Sequence, residues 1–392
     1  MEAYLDNSAT TRVDAQVQEL MKKLMDVDFG NPSSRHQKGV VAEGYIKEAR
    51  QKIAATLKVD PKEFIITSGG TESNNMALIG TALAAKRKGN HIITTAVEHP
   101  SVKATASFLE EQGFRITFLS VDSRGQISLE DLKEALTPDT ILVSIMYVNN
   151  EIGTIQPVEE AAKLVHATVP GAVFHVDAIQ AYGKVMIRPK QQGIDLLSVS
   201  SHKFHGPKGA GFLYCSSKVN LHPIIFGGGQ QSGMRSGTEN VPGAAGMGLA
   251  GQLAYQKFEQ KKAHLNELRR YFLEGIHKLD DVSINGWDET ADGEECIERR
   301  APHIVSVSFT GVRSEVLLNA LSDRGIYVSS GSACSSNHPA LSSTLQAIGL
   351  DKKLIEGTLR FSFCENTTKE ELDQALKALQ ELLPMLRRYT RR

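Results

Sequence analysis

The sequence is poor in cysteine and tryptophan and contains no long apolar run. Its 392 residues include four cysteines and one tryptophan. The cysteines stand far apart and no two form a CxxC pair, which argues against a disulfide framework and against a zinc knuckle. If one cysteine has a special role, we expect that role to depend on the reactivity of its thiol. The four are Cys215, Cys296, Cys334 and Cys364.

The sequence also lacks an excess of charge of either sign. It has 44 basic and 45 acidic side chains, so bulk charge gives no support for binding to nucleic acid or to a membrane surface. No apolar segment has the length of a membrane span, and the start MEAYLDNSATT has neither the basic region nor the apolar core of a signal peptide. We therefore expect a cytoplasmic protein that binds neither membranes nor nucleic acid directly.

Short apolar strand patterns alternate with helical segments between residues 64 and 200. Each strand pattern is followed by a glycine turn or by the three-and-four spacing of an amphipathic helix. This alternation requires crossover connections and predicts an α/β fold with a mostly parallel sheet, whose ligands bind at the carboxyl ends of the strands. At 392 residues the chain is long enough for two or three domains.

Three further segments carry structural expectations. The polar run at 6–11 is expected to cap a helix that starts near Val13. A helical pattern at about 244–279 predicts one long helix that leads into a second, smaller domain. Residues 288–300 are charged and aperiodic, which predicts an exposed excursion around Cys296.

Polar side chains recur where the predicted strands stop. A soluble sheet does not need so many for solvation, and the carboxyl ends of parallel strands share one edge, so we expect these side chains to form a single site. The turns and strand ends concerned are Gly69-Gly70-Thr71, Glu98-His99, Asn149-Asn150-Glu151, His175 to Gln180, and Ser200 to Lys203.

Lys203 directly follows an apolar strand pattern, in SVSSHKFHGPKG. A lysine at the end of a buried strand either reaches water or has its pKa lowered by desolvation. The second case yields a neutral amine, which imine formation with a carbonyl requires. Most lysines are solvated, so the residue alone indicates only a candidate carbonyl-binding lysine.

Other candidates have an ordinary structural interpretation beside the functional one. The turn at Gly69, Gly70 and Thr71 suits a phosphate but also fits a plain helix cap. Asp177 at a strand end suits a cation or a strong donor, but it also fits a cap for the following turn. His99 is a general acid or base, a ring-stacking partner, or a structural histidine.

Cys334 and Arg360 stand out by their surroundings. Cys334 lies in SSGSACSSNHPALSS, whose small turn-forming residues predict an exposed loop, and an exposed thiol is a chemical liability that needs a reason. Arg360 interrupts the strand pattern TLRFSF, and it either extends to water or binds a carboxylate through its planar group. Cys215 and Cys364 lie in or beside apolar strand patterns and are expected to be inert core residues.

As a set, these residues supply an imine-forming lysine, a carboxylate, a histidine, a phosphate-binding turn, an arginine and a thiol. A cofactor with an aldehyde, an aromatic nitrogen and a phosphate uses most of them, and pyridoxal phosphate is that cofactor. The cysteine spacing indicates no metal site.

The motifs also resemble those of a known family. GGTESNN, VEHPS, NNEIGTIQP, HVDAIQ, SSHKFHGPKG, GGGQQSGMRSGTEN, SSGSACSS and LRFSF occur in this order over nearly the whole chain. In order and spacing they resemble cysteine desulfurases of the NifS/IscS-like branch, within the class V aminotransferase group. The resemblance implies the pyridoxal phosphate-dependent transferase fold type I. Its large domain (16–257) would contain a mostly parallel seven-stranded sheet, and its smaller α+β domain would comprise 1–15 with 258–392.

The resemblance implies a role for each matched residue. Lys203 would anchor the cofactor through its amine, Asp177 would pair with the ring nitrogen, and Gln180 would bind the ring hydroxyl. His99 would stack on the ring and transfer protons, and Cys334 would be the nucleophile. The remaining matched residues would bind the phosphate (Gly70, Thr71, Ser200, His202, and Thr238 from a second subunit), both cofactor and substrate (Asn150), or the substrate α-carboxylate (Arg360).

The implied activity is the conversion of L-cysteine to L-alanine in a homodimer. The amine of Lys203, once released by the substrate, would remove the α-proton, and the Cys334 thiolate would take the substrate sulfur as a persulfide. That sulfur would serve iron–sulfur cluster assembly or the thiolation of tRNA or a cofactor. The sequence ends at LRRYTRR, without the longer tail that housekeeping members use to bind a scaffold protein, so the sulfur acceptor stays open.

Two other functions fit parts of the pattern. A related pyridoxal phosphate lyase or transaminase would not need a thiol in the loop, so Cys334 argues against it. A catalytically silent scaffold would keep the fold but would lack the visible absorption of a lysine-bound cofactor.

Overall fold

The computed structural model describes residues 2–330 and 341–390 of the chain. Strands and helices alternate through its first half, as the pattern predicts. The strands are β1 (Ala3–Tyr4), β2 (Phe64–Thr67), β3 (His91–Thr95), β4 (Arg115–Leu119), β5 (Thr140–Met146), β6 (Val173–Asp177), β7 (Leu196–Ser200), β8 (Gly211–Cys215), β9 (Val282–Asn285), β10 (Ile304–Phe309), β11 (Ile326–Tyr327), β12 (Ser329–Ser330) and β13 (Thr358–Ser362). The helices are α1 (Ala15–Asp26), α2 (Gln37–Leu57), α3 (Gly70–Ala85), α4 (Pro100–Glu111), α5 (Leu129–Ala135), α6 (Val158–Thr168), α7 (Pro189–Gln192), α8 (Val241–Tyr255), α9 (Phe258–Ile276), α10 (Glu289–Asp292), α11 (Ser314–Ser322), α12 (Ser343–Ala347), α13 (Lys352–Glu356) and α14 (Lys369–Thr390).

A seven-stranded sheet lies at the centre of the larger part of the molecule. Its strand order is β2-β8-β7-β6-β5-β3-β4, and β8 is the strand that runs antiparallel to its neighbours. Strands β5 and β7 are buried along their whole length, which explains why they occur in the sequence as nearly continuous apolar runs. The predicted α/β class with a mostly parallel seven-stranded sheet is therefore confirmed.

Three strands of this sheet end at one edge. Strands β2, β6 and β7 run in the same direction, so Thr67, Asp177 and Ser200 end side by side. Helix α3 follows β2 after a two-residue turn, and a single 3₁₀ turn at Ser201–Lys203 follows β7. In a mostly parallel sheet this carboxyl edge is the place where ligands bind.

A second, smaller core surrounds a four-stranded sheet. Its strand order is β12-β13-β10-β9, with antiparallel neighbours throughout. The start of the chain packs here, because β1 pairs with β11 and because Ala3 and Leu5 are buried with Phe272 and Phe361. The domain boundaries expected from the resemblance stay a prediction. Within the described residues no helix is long and apolar enough to cross a membrane.

The long helix predicted at about 244–279 is two helices. Helix α8 ends at Tyr255 and α9 begins at Phe258, and between them Lys257 has a left-handed backbone with φ of 52°. A left-handed residue does not continue a right-handed helix. Apolar residues keep helical spacing on both sides of this break, so the hydrophobic pattern alone does not reveal it.

The first helix begins two residues later than expected, and its cap is a different residue. Helix α1 starts at Ala15, and Asp14 Oδ1 accepts a hydrogen bond from the Gln16 N–H at 2.8 Å. The polar run 6–11 has another place: its Thr11 N–H donates to the His202 carbonyl at 2.9 Å. The run therefore lies against the carboxyl edge of the large sheet.

The charged segment 288–300 is only in part the exposed excursion that its composition predicts: Glu294, Glu298 and Arg299 are exposed, but Cys296 and several charged residues are buried. Cys296 is 1% exposed, and Glu289 is buried together with Arg269 and Arg300. The Glu289 carboxylate accepts a hydrogen bond from Arg269 Nε at 3.1 Å and another from Arg300 Nη2 at 2.8 Å. Buried charges persist only when they are paired. Arg269 lies in α9, so no local sequence pattern predicts its pairing with Glu289.

Replacing Glu289 with alanine is expected to lower the free energy of unfolding by about 3–5 kcal/mol, because two buried guanidinium groups lose their carboxylate. Urea unfolding followed by the fluorescence of Trp287, whose carbonyl accepts a hydrogen bond from Arg269, measures the effect beside the cluster. Glu294→Ala is the control, since Glu294 is 85% exposed, and we expect a change of at most about 0.5 kcal/mol. Equal changes in both variants would contradict this account of the cluster.

Candidate active site

Two glycines shape the turn between β2 and α3. Gly69 has φ of 151°, and a Cβ on Gly70 would lie 2.1 Å from Ile179 Cδ1, so a side chain at position 70 would force Ile179 to move. Ser200 lies against this turn, since a Cβ on Gly69 would be 3.6 Å from Ser200 Oγ. Thr71 is exposed in the first turn of α3. The N–H groups at the helix start and the two hydroxyls form a place for an anion such as phosphate.

Backbone carbonyls hold the Lys203 amine at the same edge. Its Nζ donates to the Ser8 carbonyl at 2.5 Å and to the Ala9 carbonyl at 2.8 Å. Gln180 Nε2 donates to the same Ser8 carbonyl at 2.9 Å, so Gln180 and Lys203 reach one point. Ser8 and Ala9 belong to the polar run that the sequence suggests as a helix cap. In the structure this run orients the lysine.

Asp177 ends β6 with a carboxyl group that is almost fully buried. Its Oδ2 accepts a hydrogen bond from Asn74 Nδ2 at 2.7 Å, and its Oδ1 accepts one from the Ile179 N–H at 3.0 Å. Burial raises the pKa of Asp177, while the hydrogen bonds from the Ile179 N–H and from Asn74 act in the opposite direction. Asp177 thus caps a turn and also keeps acceptor capacity for a cation or a strong donor.

Asn74 and Ser101 connect Asp177 to His99. Asn74 Nδ2 also donates to Ser101 Oγ at 2.9 Å, and this oxygen lies 2.8 Å from His99 Nδ1. The Ser101 N–H donates to His99 Nδ1 at 3.1 Å, so Nδ1 is an acceptor and the ring proton belongs on Nε2. Burial lowers the pKa of His99, which favours this neutral form of the ring.

Neither connecting residue is among those predicted from the sequence. Asn74 lies in GGTESNN four positions after Gly70, and this spacing in a helix places both on one face. That spacing was the available signal for Asn74. Ser101 has no such signal, because a serine in the first turn of a helix is an ordinary capping residue.

His202 is a neutral imidazole beside the lysine. Its Nδ1 lies 3.2 Å from Thr10 Oγ1. Burial lowers the pKa of His202 to about 4, and the positive charges of Lys203 and Lys208 act in the same direction. A neutral ring at this edge can hydrogen-bond to a phosphate oxygen without contributing a charge of its own.

Arg360 extends from β13 to the segment that follows β5. Its Nη1 donates to the Asn150 carbonyl at 2.8 Å, and its Nη2 pairs with Asp6 Oδ1 at 2.8 Å. The sequence left two interpretations of Arg360, extension to water or binding of a carboxylate. The structure shows the second, with the Asp6 carboxylate as the partner. Arg360 Nε is buried and has no hydrogen-bond partner among the described residues. A buried unpaired donor indicates a place for a further acceptor.

For two predicted site residues, a place in this group stays a prediction. Cys334 lies in the segment 331–340, outside the described residues. Thr238 is exposed in the segment before α8, and its contact with a second subunit stays a prediction. The groups that the described chain brings together at the sheet edge are therefore the lysine, the aspartate, the histidines and the α3 turn.

A second buried carboxyl group lies beside Asp177. Glu98 is 2% exposed, and its Oε1 accepts hydrogen bonds from Thr95 Oγ1 and from the Met146 N–H, both at 2.8 Å. Burial raises the pKa of Glu98 to about 8, and the charge of Asp177 acts in the same direction. Glu98 is therefore mostly protonated at neutral pH, and the two neighbouring carboxyl groups do not both carry charge.

Stability is expected to depend on pH through Glu98. Its pKa is about 8 in the folded protein and 4.5 in its ordinary state, so the unfolded chain ionises first as the pH rises. The free energy of unfolding therefore falls across this window. Glu98→Gln keeps the acceptor oxygen and does not ionise, so we expect a smaller fall between about pH 5 and about pH 8 in urea unfolding. An unchanged pH dependence in the variant would contradict the assignment.

The chain is similar in sequence to proteins that are already known. The family model for aminotransferase class-V matches residues 3–375. A cysteine desulfurase IscS from Dictyoglomus turgidum is 44% identical over 387 residues, which cover 98% of this chain and 95% of the relative. A cysteine desulfurase IscS from Methanosarcina thermophila is 43% identical over 384 residues, with coverage of 98% and 92%.

Solved structures agree with these relatives. A NifS-like protein superposes with a TM-score of 0.91 at 39% identity, over 98% of this chain and all of the other. A structure of SspA in complex with cysteine superposes with a TM-score of 0.80 at 34% identity, over 94% of this chain and all of the other. The resemblance to cysteine desulfurases that the motifs indicate is confirmed. The chain belongs to the class V aminotransferase family.

Proposed function

We propose that this chain is a pyridoxal phosphate-dependent cysteine desulfurase, which converts L-cysteine to L-alanine and passes the sulfur to Cys334 as a persulfide. The observation that carries the proposal is the convergence of Lys203, Asp177 and the α3 turn at one edge of the sheet. Relatives that match nearly the whole chain are named cysteine desulfurases, and one solved relative is a complex with cysteine.

The residues at the sheet edge fit pyridoxal phosphate. The α3 turn would hold the phosphate with its backbone N–H groups, and Thr71, Ser200 and His202 would add polar side chains. Asp177 would bind the ring nitrogen and Gln180 the ring hydroxyl. The bound cofactor supplies an electron-withdrawing ring that stabilises negative charge at the substrate α-carbon.

Asn74 and Ile179 set the direction of the Asp177 carboxyl group. Each of its oxygens already accepts one hydrogen bond, at 2.7 Å from Asn74 and at 3.0 Å from the Ile179 N–H. These two bonds restrict rotation of the carboxyl group, so its remaining lone pairs have a defined direction. A fixed anion of this kind stabilises a cation without reorganisation during the reaction.

Lys203 and His99 would hold and transfer protons. The Lys203 amine would anchor the cofactor and, once released by the substrate, would remove the α-proton. His99 holds its own proton on Nε2, since Nδ1 accepts from the Ser101 N–H, and this N–H would be the group that His99 offers to the bound substrate. Arg360, which Asp6 already orients, would bind the substrate carboxylate beside Asn150.

Cys334 is the sulfur acceptor in this scheme, and two other cysteines are unsuitable. Burial raises the pKa of the Cys215 thiol to about 12. Burial also raises the pKa of Cys296, which is 1% exposed. Both shifts disfavour the thiolate that nucleophilic attack requires. Cys364 is buried next to His205 and Glu365.

Mass spectrometry with isotopically labelled cysteine tests the proposal. The holoenzyme is incubated with ³⁴S-labelled cysteine without reductant, alkylated and digested. We expect alanine together with one labelled persulfide on the peptide that contains Cys334. The control Cys215→Ser keeps the label, and Cys334→Ala loses it. A label on another cysteine would overturn the role of Cys334, and the absence of both alanine and label would overturn the function.

The proposal includes a cytoplasmic homodimer that passes its sulfur to an acceptor protein, for iron–sulfur clusters or for thiolation. A cytoplasmic site suits the chemistry, because thiols stay reduced there. Thr238 would reach the phosphate of the second subunit, which agrees with its exposure in the single chain. A protein that sediments as a monomer and is fully active would contradict the homodimer.

A further inference from the structure

An ion pair connects the α3 turn with a segment that is distant in the sequence. Arg235 Nε donates to Glu72 Oε1 at 2.8 Å, and Arg235 Nη2 donates to Glu72 Oε2 at 3.3 Å. Glu72 lies in the first turn of α3, and its side chain is 12% exposed. A guanidinium group that contacts both oxygens of a carboxylate is held in one orientation. The pair therefore fixes the 227–240 segment, which contains Arg235, against the α3 turn.

Glu72 also holds the residue at which the chain enters this turn. The Ser68 N–H donates to Glu72 Oε2 at 3.0 Å, and Ser68 Oγ donates to the same oxygen at 2.5 Å. Ser68 directly precedes Gly69, whose carbonyl accepts a hydrogen bond from the Ser73 N–H at 3.1 Å. The backbone before Gly69 is thus tied to a side chain of the helix that follows it. Glu72 restrains the shape of the turn at its start.

This carboxylate brings negative charge to a turn that would bind an anion. Burial alone would raise the pKa of Glu72, but the hydrogen bonds from Arg235 and Ser68 outweigh it and lower the pKa. Glu72 is therefore ionised at neutral pH. An ionised carboxylate repels a nearby phosphate unless a cation offsets its charge. Arg235 is placed to be that cation, so its charge matters to the turn as well as its hydrogen bonds.

The 227–240 segment is anchored beside Arg235 by a buried glutamine. Gln231 is 7% exposed, and its Oε1 accepts hydrogen bonds from the Ile66 N–H at 3.0 Å and from Arg50 Nη2 at 2.5 Å. Ile66 belongs to β2, the strand that leads into the α3 turn. The segment therefore contacts the elements on both sides of the turn, β2 through Gln231 and α3 through Arg235. Arg235 acts from a backbone that is already held in place.

We propose that Glu72 and Arg235 are positioning residues for the cofactor phosphate. Glu72 holds the residue that enters the α3 turn, and Arg235 both orients Glu72 and offsets its charge beside the phosphate. Both side chains act through the turn and not by contact with the cofactor. The inference rests on the proposed function for the identity of the cofactor, but it does not depend on the substrate or on Cys334.

The same contacts have an ordinary structural interpretation. An acidic side chain in the first turn of a helix stabilises the helix through its dipole, and a partly exposed ion pair adds little to stability. That interpretation predicts a small loss of stability when the pair is removed, with no dependence on whether the ligand carries a phosphate. A positioning role predicts a loss of affinity that is specific for the phosphate.

Titration of the full-length protein, freed of cofactor, with pyridoxal phosphate and with pyridoxal separates the two interpretations, because pyridoxal lacks the phosphate. The visible absorption of the lysine-bound compound reports binding. Arg235→Gln removes one anchor of the turn and leaves the Glu72 charge without its cation. We expect this variant to raise the dissociation constant of pyridoxal phosphate by at least about tenfold, and that of pyridoxal by less than about twofold.

A double variant tests the charge. Glu72→Gln combined with Arg235→Gln removes the carboxylate that Arg235→Gln leaves without its cation, so we expect it to bind pyridoxal phosphate at least about threefold more tightly than Arg235→Gln alone. A purely structural role predicts weaker binding, since the double variant loses more contacts. Arg324→Gln is the matched control, because Arg324 pairs with Glu381 at 2.6 Å in the smaller core. Both dissociation constants should stay unchanged in that control.

Thr238 offers another route from Arg235 to a phosphate, because it follows Arg235 in the same segment. Combining Thr238→Ala with Arg235→Gln separates the routes. If Arg235 acts through the α3 turn, the two substitutions are independent and their losses of binding free energy add. A combined variant that binds pyridoxal phosphate as tightly as Arg235→Gln alone would show that Arg235 acts through Thr238, and would overturn the role of the turn.

Three further outcomes would overturn the inference. Equal losses of pyridoxal phosphate and pyridoxal binding in Arg235→Gln would show a general structural role. Binding of pyridoxal phosphate by Arg235→Gln as tight as by the wild-type protein would remove the pair from the site and leave the proposed function intact. A wild-type protein that shows lysine-bound absorption with neither compound would overturn the proposed function, and this inference with it.

Discussion

Lys203→Ala is expected to lower the rate of alanine formation from cysteine by about 10²–10⁴-fold or more, because the variant loses both the amine that anchors the cofactor and the base. The structure holds this amine at the sheet edge through the carbonyls of Ser8 and Ala9. Alanine production by the purified protein with added pyridoxal phosphate measures the loss. The visible absorption band of a lysine-bound cofactor is expected to disappear as well.

Two further variants separate the amine chemistry from the fold. Lys203→Arg keeps a cation that can donate to both carbonyls but cannot form an imine, so we expect it to be equally inactive. Lys208→Ala removes an exposed lysine from the same segment and should keep full activity. Activity and a normal absorption band in Lys203→Ala would refute the assignment of the anchoring residue.

Asp177→Asn is expected to lower kcat/KM by about 10²–10³-fold, because a neutral amide cannot stabilise a protonated ring nitrogen. The substitution preserves size but not hydrogen bonding. Both carboxyl oxygens of Asp177 accept bonds, from Asn74 and from the Ile179 N–H, and an amide supplies only one acceptor oxygen. One buried donor is left without a partner, so a lower free energy of unfolding should accompany the loss of activity.

Asp195→Asn is the matched control for this prediction. Asp195 precedes β7, so it lies at the opposite edge of the same sheet, where its Oδ2 accepts from the Phe174 N–H at 2.9 Å. Burial raises the pKa of Asp195, as it does that of Asp177. We expect Asp195→Asn to affect stability and to leave kcat/KM nearly unchanged. Similar activity losses in the two variants would show that the effect of Asp177 is only structural.

The predictable part of the fold follows from local patterns. Buried parallel strands need apolar side chains on both faces, and turns need glycine where side chains do not fit, so β2, α3, β6 and β7 are recognisable in the sequence. The carboxyl edge as a site follows from the same topology. Lys203 and Asp177 could be selected because Asp177 ends an apolar strand and Lys203 lies in the turn after another.

Contacts between distant segments could not be predicted from local sequence patterns. Asn74 joins Asp177 to Ser101 across three separate elements, and each of these residues has an ordinary local interpretation. In the sequence the polar run 6–11 resembles a helix cap. Its contact with Lys203 forms only when the start of the chain packs on the sheet edge, so no local pattern predicts that contact. Composition alone predicts that all of 288–300 is exposed. It does not reveal that Glu289 is buried, because its partner Arg269 lies in α9, outside that segment.

The sequence by itself determined the α/β architecture, the edge at which a ligand binds, and the lysine and aspartate expected to hold a cofactor. These features depend on side-chain periodicity and on the direction of each strand, which neighbouring residues encode. Only the tertiary structure decided which carboxyl group is protonated and which histidines are neutral. Such properties depend on burial and on charges that distant segments bring together, and no local pattern contains that information.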